Sequence, residues 1–192
     1  MKNKHILRLT LIAVFTALCY VSFAVLKITI PTPLGYTSFH LGNVLCVLAA
    51  LVLGGVEGGL VGAIGMGIGD LLDPAYVLIA PKTIVLKMMI GLVVGIISHK
   101  VFKINNLEGK SLTKATIISC LSGMLANIIG EPVFGYFYYR FILNAEDKAL
   151  NALVSFNLVS TSVNAILTIA ISTVLYLAIR KRFTNTIKNI NE

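Results

Sequence analysis

Apolar runs long enough to cross a lipid bilayer dominate this sequence, and they restrict its possible folds more than any short motif does. Hydrophobic residues make up 57% and charged residues 12% of the 192-residue chain, whereas soluble domains have about 45–50% and about 25%. A bilayer core of about 30 Å requires about 20 apolar residues per helix. The runs therefore predict membrane-spanning helices, and we expect residues 1–192 to form one integral membrane domain.

Polar and glycine-rich segments divide the apolar sequence into six predicted helices. The region from Phe39 to Gly69 is too long for one span and contains Glu57 as its only charged residue. The glycine cluster at 54–59 supplies a turn that splits this region in two. The predicted helices are Leu9–Leu26, Phe39–Leu53, Gly58–Leu72, Thr83–Val101, Thr113–Ile142 and Leu153–Ile179. The predicted fold class is an all-α, six-helix transmembrane bundle.

The basic residues predict how this bundle is oriented. Six spans place both termini on one side of the membrane, and eleven of the 16 Lys and Arg residues fall on that side in this topology. Loops on the cytoplasmic side carry an excess of Lys and Arg. We therefore expect both termini to be cytoplasmic.

Several functional classes are disfavoured by the sequence. The net charge of +8 does not indicate nucleic-acid binding, because the basic residues lie between apolar runs rather than on one solvated face. Asp70 stands where G-x-G-x-x-G needs its last glycine, and Gly109-Lys110-Ser111 lacks the earlier glycine of a P-loop. The three cysteines lie far apart in apolar runs. We expect no metal site, no cofactor and no catalytic residue set.

Small residues recur at four-residue spacing, most densely in "GGLVGAIGMGIGD" from Gly58 to Asp70. Such residues let membrane helices approach closely and gain van der Waals contact. We interpret these glycines as helix-packing surfaces. Ala13 and Ala17 have the same spacing in the first helix, where they either pack internally or form a docking face for another membrane protein.

Ionisable residues cluster toward the predicted outer end of the bundle. Charges inside a membrane are costly and mark functional sites by default. Asp73, Lys82 and Arg140 fit a simpler interpretation, in which side chains extend to the interface. Lys87 and Glu131 lie deeper and are better site candidates. Pairing of Lys87 with Asp70 or Glu131 is a structural alternative that the sequence leaves open.

The first outer loop, "KITIPTPLGYTSFH", has the character of a lid. Pro31 and Pro33 favour a stiff, extended polyproline II conformation. Tyr36 and Phe39 flank the loop and could cover a ligand, whereas His40 fits an interface residue as well as a ligand-binding one. A lid of this kind would close an outward-facing cavity.

The stretch "FHLGNVLCVLAALVLGGVEGGLVGAIGMGIGDLLDPAYVLIAPKTIVLKMMIGLVVGII" resembles the substrate-binding S components of energy-coupling-factor (ECF) vitamin transporters. The length, the six helices, the basic ends and the A-x-x-x-A pattern at Ala13 and Ala17 agree with this resemblance. It implies capture of riboflavin, pyridoxine, hydroxymethylpyrimidine or a related small molecule at a prokaryotic plasma membrane. It also implies docking, through the first helix, on a membrane coupling protein that two ATPase subunits drive.

By position, the resemblance assigns docking to Ala13 and Ala17 and substrate binding to the outer polar cluster. Many relatives have Asp where this chain has Asn43, so the vitamin stays open. A stand-alone secondary transporter, proton-coupled through Glu131 or Asp70, is the alternative, and the lack of a visible inverted repeat argues against it. The substrate-binding candidates are Tyr36, Phe39, His40, Asn43, Asp70, Lys87, Asn127, Glu131 and Asn157.

Overall fold

Six α-helices and one β-hairpin form the part of the chain that the computed structural model describes. This part comprises residues 2–32 and 35–191, with side chains at 4–32, 36–146 and 150–181. The predicted six-helix bundle is confirmed. Among the described residues, four segments are long and apolar enough to cross a membrane, namely Lys4–Ala24, Val77–Val101, Gly109–Ile142 and Leu150–Lys181.

Most of the helices extend further than the apolar runs that predicted them. The first helix begins at Lys2 rather than Leu9, and the sixth runs from Asp147 to Asn191 rather than from Leu153 to Ile179. Backbone hydrogen bonding continues into the polar flanks, where hydropathy no longer marks the helix. The helices are α1 (Lys2–Ala24), α2 (Gly42–Leu53), α3 (Gly55–Leu71), α4 (Ala80–Gly95, continued by a π-helical turn at Ile96–Val101), α5 (Gly109–Phe137, continued by a π-helical turn at Tyr138–Ile142) and α6 (Asp147–Asn191).

The segment between α1 and α2 forms a β-hairpin, which corrects the prediction of a polyproline II loop. Strands β1 (Ile28–Thr32) and β2 (Gly35–Phe39) pair antiparallel, with Ile28 opposite Phe39. Pro31 is tolerated because a two-stranded ribbon has free edges that need no ladder donor. Phe39 therefore ends a strand and does not begin the second helix. Pro33 and Leu34, the remaining part of the predicted lid, lie outside the described residues.

The glycines of α3 let three neighbouring helices pack closely against it. Gly58 faces Ala50 of α2, and Gly65 faces Cys19 of α1. On the α4 side, a methyl group added at Gly91 would overlap the backbone of Gly59. The interpretation of the small-residue stripes as packing surfaces is confirmed. The glycines of α3 that face its neighbours are Gly55, Gly59 and Gly67 toward α4, Gly58 and Gly62 toward α2, and Gly65 and Gly69 toward α1.

The short helix α2 lies inside the bundle and sets the depth of the functional site. Of its 12 residues, Leu45 alone is not buried. Twelve residues span only about 18 Å at about 1.5 Å per residue, so its N-terminus lies within the bundle. At the other end, Gly54 turns the chain with a φ of 119°. Arg8 of α1 closes this end by pairing with Glu57 at 2.5 Å and donating to the Leu53 carbonyl at 2.8 Å.

Candidate functional site

A polar cavity of about 70 Å³ lies between the N-terminus of α2, the hairpin and helices α3 to α6. It is at the opposite end of the bundle from the Arg8–Glu57 pair. Asn43 in the first turn of α2 lines it, as do Asp70 in the last turn of α3 and Lys87 of α4. The short α2 forms its floor, because the chain enters this helix partway across the bundle.

Most of the residues predicted to bind substrate line this cavity. Phe39 does not line it, although Ser38 does. Phe39 is the last residue of β2, between the lining residues Ser38 and His40. The predicted residues that line the cavity are Tyr36, His40, Asn43, Asp70, Lys87, Asn127, Glu131 and Asn157.

Lys82 is a cavity residue that the sequence interpretation placed wrongly at the membrane interface. It is buried, and its ammonium forms an ion pair with Glu131 across the α4–α5 contact. The same ammonium lies 5.4 Å from the ring centroid of Tyr139, within the range of a cation–π interaction. Glu131 was one of the two partners considered for Lys87, but within the described residues Lys87 forms no ion pair.

A second ion pair, between Lys27 and Asp73, joins the hairpin to the segment after α3. The hydrogen bond from Lys27 lowers the pKa of the Asp73 carboxyl below its ordinary value of 3.8, because it stabilises the charged form. The Lys27 ammonium also lies 4.6 Å from the ring centroid of Tyr76. The interface interpretation of Asp73 therefore misses its role in holding the rim of the cavity together.

Strand β2 is held over the cavity by hydrogen bonds to side chains. Ser160 and Asn164 of α6 donate to the Ser38 carbonyl at 2.8 and 3.0 Å. The Tyr76 hydroxyl donates to the Thr37 carbonyl at 3.3 Å. In return, the His40 backbone N–H donates to the Asn164 side-chain oxygen at 3.1 Å. The hairpin is thus fastened to α6 and to the segment before α4, which is the arrangement expected of a cover.

Several buried polar atoms of the cavity wall have no hydrogen-bond partner. They are His40 Nδ1, Asn43 Oδ1, Asp70 Oδ1 and Asn127 Oδ1. Buried polar groups in folded proteins are nearly always hydrogen-bonded, and exceptions need an explanation. Together they form a set of convergent groups that a polar ligand would satisfy.

Helix α6 contributes more cavity residues than the sequence analysis identified. Asn157 was predicted, and Ser160, Thr161 and Asn164 line the cavity beside it. These residues are three or four positions apart and so share one face of the helix. Polar residues recurring at this spacing in an apolar helix are the signal that could have found them.

The predicted docking residues lie on the side of α1 that faces away from the rest of the bundle. Ala13 and Ala17 are exposed, whereas Cys19 and Phe23 are buried and face Gly65 and Gly69 of α3. The alternative interpretation, in which the two alanines pack inside the bundle, is therefore wrong. The two alanines, four residues apart, therefore form an exposed stripe of small side chains on the surface of the bundle.

The chemistry of the cavity suits recognition of a ligand. It offers amide, hydroxyl, ammonium and carboxylate groups from five helices and one strand. Within the described residues, no group of three or more His, Cys, Asp or Glu side chains could hold a metal ion. Converging polar groups fix the orientation of a ligand in small-molecule binding sites, and this cavity has more of them than apolar lining residues such as Phe23, Ile79 and Leu86.

Two comparisons with known proteins find similarity over nearly the whole chain. The sequence model of a family described as "ECF-type riboflavin transporter, S component" matches residues 3–181. A solved structure described as "Structure and mechanism of the S component of a bacterial ECF transporter" is similar over 98% of this chain and 99% of that chain, with a TM-score of 0.57 and 19% sequence identity. At that identity the likeness shows the fold alone. No curated protein matches the chain.

Proposed function

Because the chain belongs to the family of ECF-type riboflavin transporter S components, we propose that it captures riboflavin, or another vitamin of similar polarity, for uptake into the cell. S components are the substrate-binding subunits of vitamin transporters and are not enzymes. The observation that carries the proposal is the cavity with its unpartnered atoms on Asn43, Asp70 and Asn127. These oxygens accept hydrogen bonds, so the ligand must bring N–H or O–H donors, as the ring imide and hydroxyl chain of riboflavin do.

The size of the cavity indicates that its cover must move. The volume of about 70 Å³ is small in comparison with the pockets of about 300–1,000 Å³ that hold drug-sized ligands. The hairpin is fastened by a few hydrogen bonds and the Lys27–Asp73 pair, so we expect it to be the element that moves to admit the ligand. We expect slower hydrogen exchange at the amides of β1 and β2 when the ligand is bound.

The proposed partners are a membrane coupling protein and two ATPase subunits of an ECF module. The chain carries no ATP-binding motif, and Ala13 and Ala17 offer the small, exposed surface on which another helix could pack. With both termini in the cytoplasm, the cavity at the opposite end of the bundle faces outward. The protein would then collect its vitamin outside and deliver it through the energised module.

Binding and transport are tested separately. The protein is produced in cells grown with riboflavin, purified in detergent and analysed by native mass spectrometry, and flavin fluorescence quenching then measures affinity. A co-purified riboflavin mass with tight binding supports the proposal. A different co-purified vitamin corrects the substrate, and absence of binding to every vitamin of a panel contradicts the proposal.

Uptake assays distinguish the S component from a stand-alone proton-coupled transporter. Cells that contain the protein but lack an ECF module should bind external riboflavin without accumulating it. Accumulation in those cells, abolished by collapsing the proton gradient, would contradict ATP-driven uptake. In the proton-coupled case, Asp70 is the carboxylate to examine first, because Glu131 is held in its pair with Lys82.

A further inference from the structure

Lys87 and Asp70 are the two charged residues of the cavity wall that lie outside the ion pairs described above. The wall contains four charged side chains, and Lys82 and Glu131 pair with each other. Within the described part of the chain, neither Lys87 nor Asp70 forms an ion pair. Both are buried, with 7% and 2% of their surface exposed.

The positions of these two residues are fixed by the closest helix contact of the bundle. Asp70 is in the last turn of α3 and Lys87 is on α4, and the two helices meet backbone to backbone at Gly59 and Gly91. With the helices fixed in this way, the two side chains present opposite charges to one cavity without touching. A buried charge that lacks an ion-pair partner is costly, so a bound ligand that supplies polar counterparts to both groups would be favoured.

The polar groups around this pair divide into unpartnered acceptor atoms and the Lys87 ammonium, which is a donor. Asp70 Oδ1, Asn43 Oδ1 and Asn127 Oδ1 accept hydrogen bonds and have no donor. The Lys87 ammonium carries only donors. A ligand that fills the cavity must therefore present a carbonyl or ring nitrogen to Lys87 and N–H or O–H groups to Asp70 and the two amide oxygens.

We propose that Lys87 and Asp70 are the specificity-determining pair of this cavity and that the bound vitamin bridges them as a molecule of zero net charge. This inference rests on the proposed function, because it assigns the ligand class of the same site. The wall holds two cations and two anions, so its charges already balance. A ligand with a net charge, such as a phosphate ester, would leave one charge uncompensated in a low-dielectric cavity.

The experiment compares riboflavin with riboflavin 5′-phosphate, which share one ring system and one fluorescence signal. The wild-type protein should bind riboflavin about 100-fold more tightly than the phosphate, because an uncompensated buried charge is strongly unfavourable. Asp70→Asn removes a negative charge from the wall and should narrow this preference. Lys87→Met removes a positive charge and should widen it. Steric exclusion of the phosphate would leave the preference the same in both variants.

Each single substitution should also weaken riboflavin binding by about 30-fold or more, because it leaves a buried partner group unsatisfied. The double variant should lose less than the product of the two single losses, since it removes both charges. Lys114→Met is the matched control: Lys114 is exposed at the other end of α5, and its replacement should leave both affinities unchanged. Thermal unfolding without ligand checks that each variant folds.

The outcomes separate this inference from the proposed function. Unchanged preference in both variants, or equal wild-type affinity for riboflavin and its phosphate, overturns the charge-bridging inference while riboflavin capture stands. If riboflavin does not bind, the same protein is tested with pyridoxine, thiamine and pantothenate. A charged vitamin as the tightest ligand then overturns the inference, pyridoxine as the tightest supports it, and binding of none overturns both proposals. If one variant fails to fold, the direction in which the other variant changes the preference for riboflavin over its phosphate decides.

Discussion

Lys82 on α4 and Glu131 on α5 form an ion pair inside the cavity wall, with only 4% and 14% of their side-chain surface exposed. The charges are therefore shielded from water, which makes each one dependent on the other. A buried pair adds little stability in comparison with an apolar pair of the same size, but removal of one partner strands the other. The pair thus ties α4 to α5 at the level of the binding cavity.

The first prediction concerns the stability of this pair. Lys82→Met or Glu131→Gln alone should lower the free energy of unfolding by about 3–5 kcal/mol, because one charge is left buried without a partner. The double variant should recover a large part of this loss. Thermal unfolding of the ligand-free protein in detergent measures the effect, with the exposed Glu108→Gln as control. A double variant less stable than either single variant would contradict this account.

The contact between α3 and α4 should be intolerant of a single methyl group. Gly91→Ala places a Cβ against the backbone of Gly59, and overpacking of this kind costs about 1–3 kcal/mol. Gly135→Ala is the matched control, because a Cβ there meets nothing within 4 Å. It should be neutral or slightly stabilising, since Ala is favoured over Gly in a helix by about 1 kcal/mol. Equal effects of the two substitutions on the unfolding temperature would show that helix contact is not the cause.

The rim pair between Lys27 and Asp73 should make stability depend on pH. Since the pKa of Asp73 is lowered in the folded protein from its ordinary value of 3.8, the pair contributes fully above that value and is lost as pH falls below it. The wild-type protein should exceed Asp73→Asn in unfolding temperature at neutral pH. This difference should shrink as the pH is lowered through and below 3.8. A difference that is constant across this range would argue against a charged Asp73 at the rim.

The exposed stripe on α1 should matter for transport and not for binding. Ala13→Leu combined with Ala17→Leu adds bulk to the proposed docking face and should lower uptake about tenfold or more, because overpacked contacts lose about 1–3 kcal/mol. Riboflavin affinity of the purified protein should not change. The control replaces Ala170 and Ala178, two exposed alanines of α6, by Leu. Full uptake by the α1 variant would remove the docking assignment.

The features that the sequence predicted well depend on local spacing. The glycines of α3 from Gly58 to Gly69 are predictable as packing surfaces, because four-residue spacing on a helix is independent of the rest of the fold. Most of the cavity residues were also predictable, since polar side chains such as Lys87, Asn127 and Glu131 are costly in a membrane unless they serve a site.

The features that were missed depend on how separate elements meet. The choice of Lys82 as the partner of Glu131 follows from the rotation of α4 against α5, which no local pattern encodes. Pro31 favours a polyproline II loop, and this prediction is wrong because the segment forms a hairpin. Ile28, Thr29 and Ile30 are β-branched and favour a strand. The predictions that Phe39 begins a helix and lines the cavity fail with the loop prediction, because Phe39 ends β2 and does not line the cavity.

The enclosure of α2 has a consequence for how the protein enters the membrane. Its 12 residues are too few to reach across a bilayer core that requires about 20, and α3, with 17 residues, carries Glu57 and Asp70. We therefore expect α2 and α3 to insert together, as a helical hairpin that turns at Gly54. Because α4 packs against Gly59 through Gly91, we expect the binding cavity to form only after the chain beyond Gly91 has been synthesised.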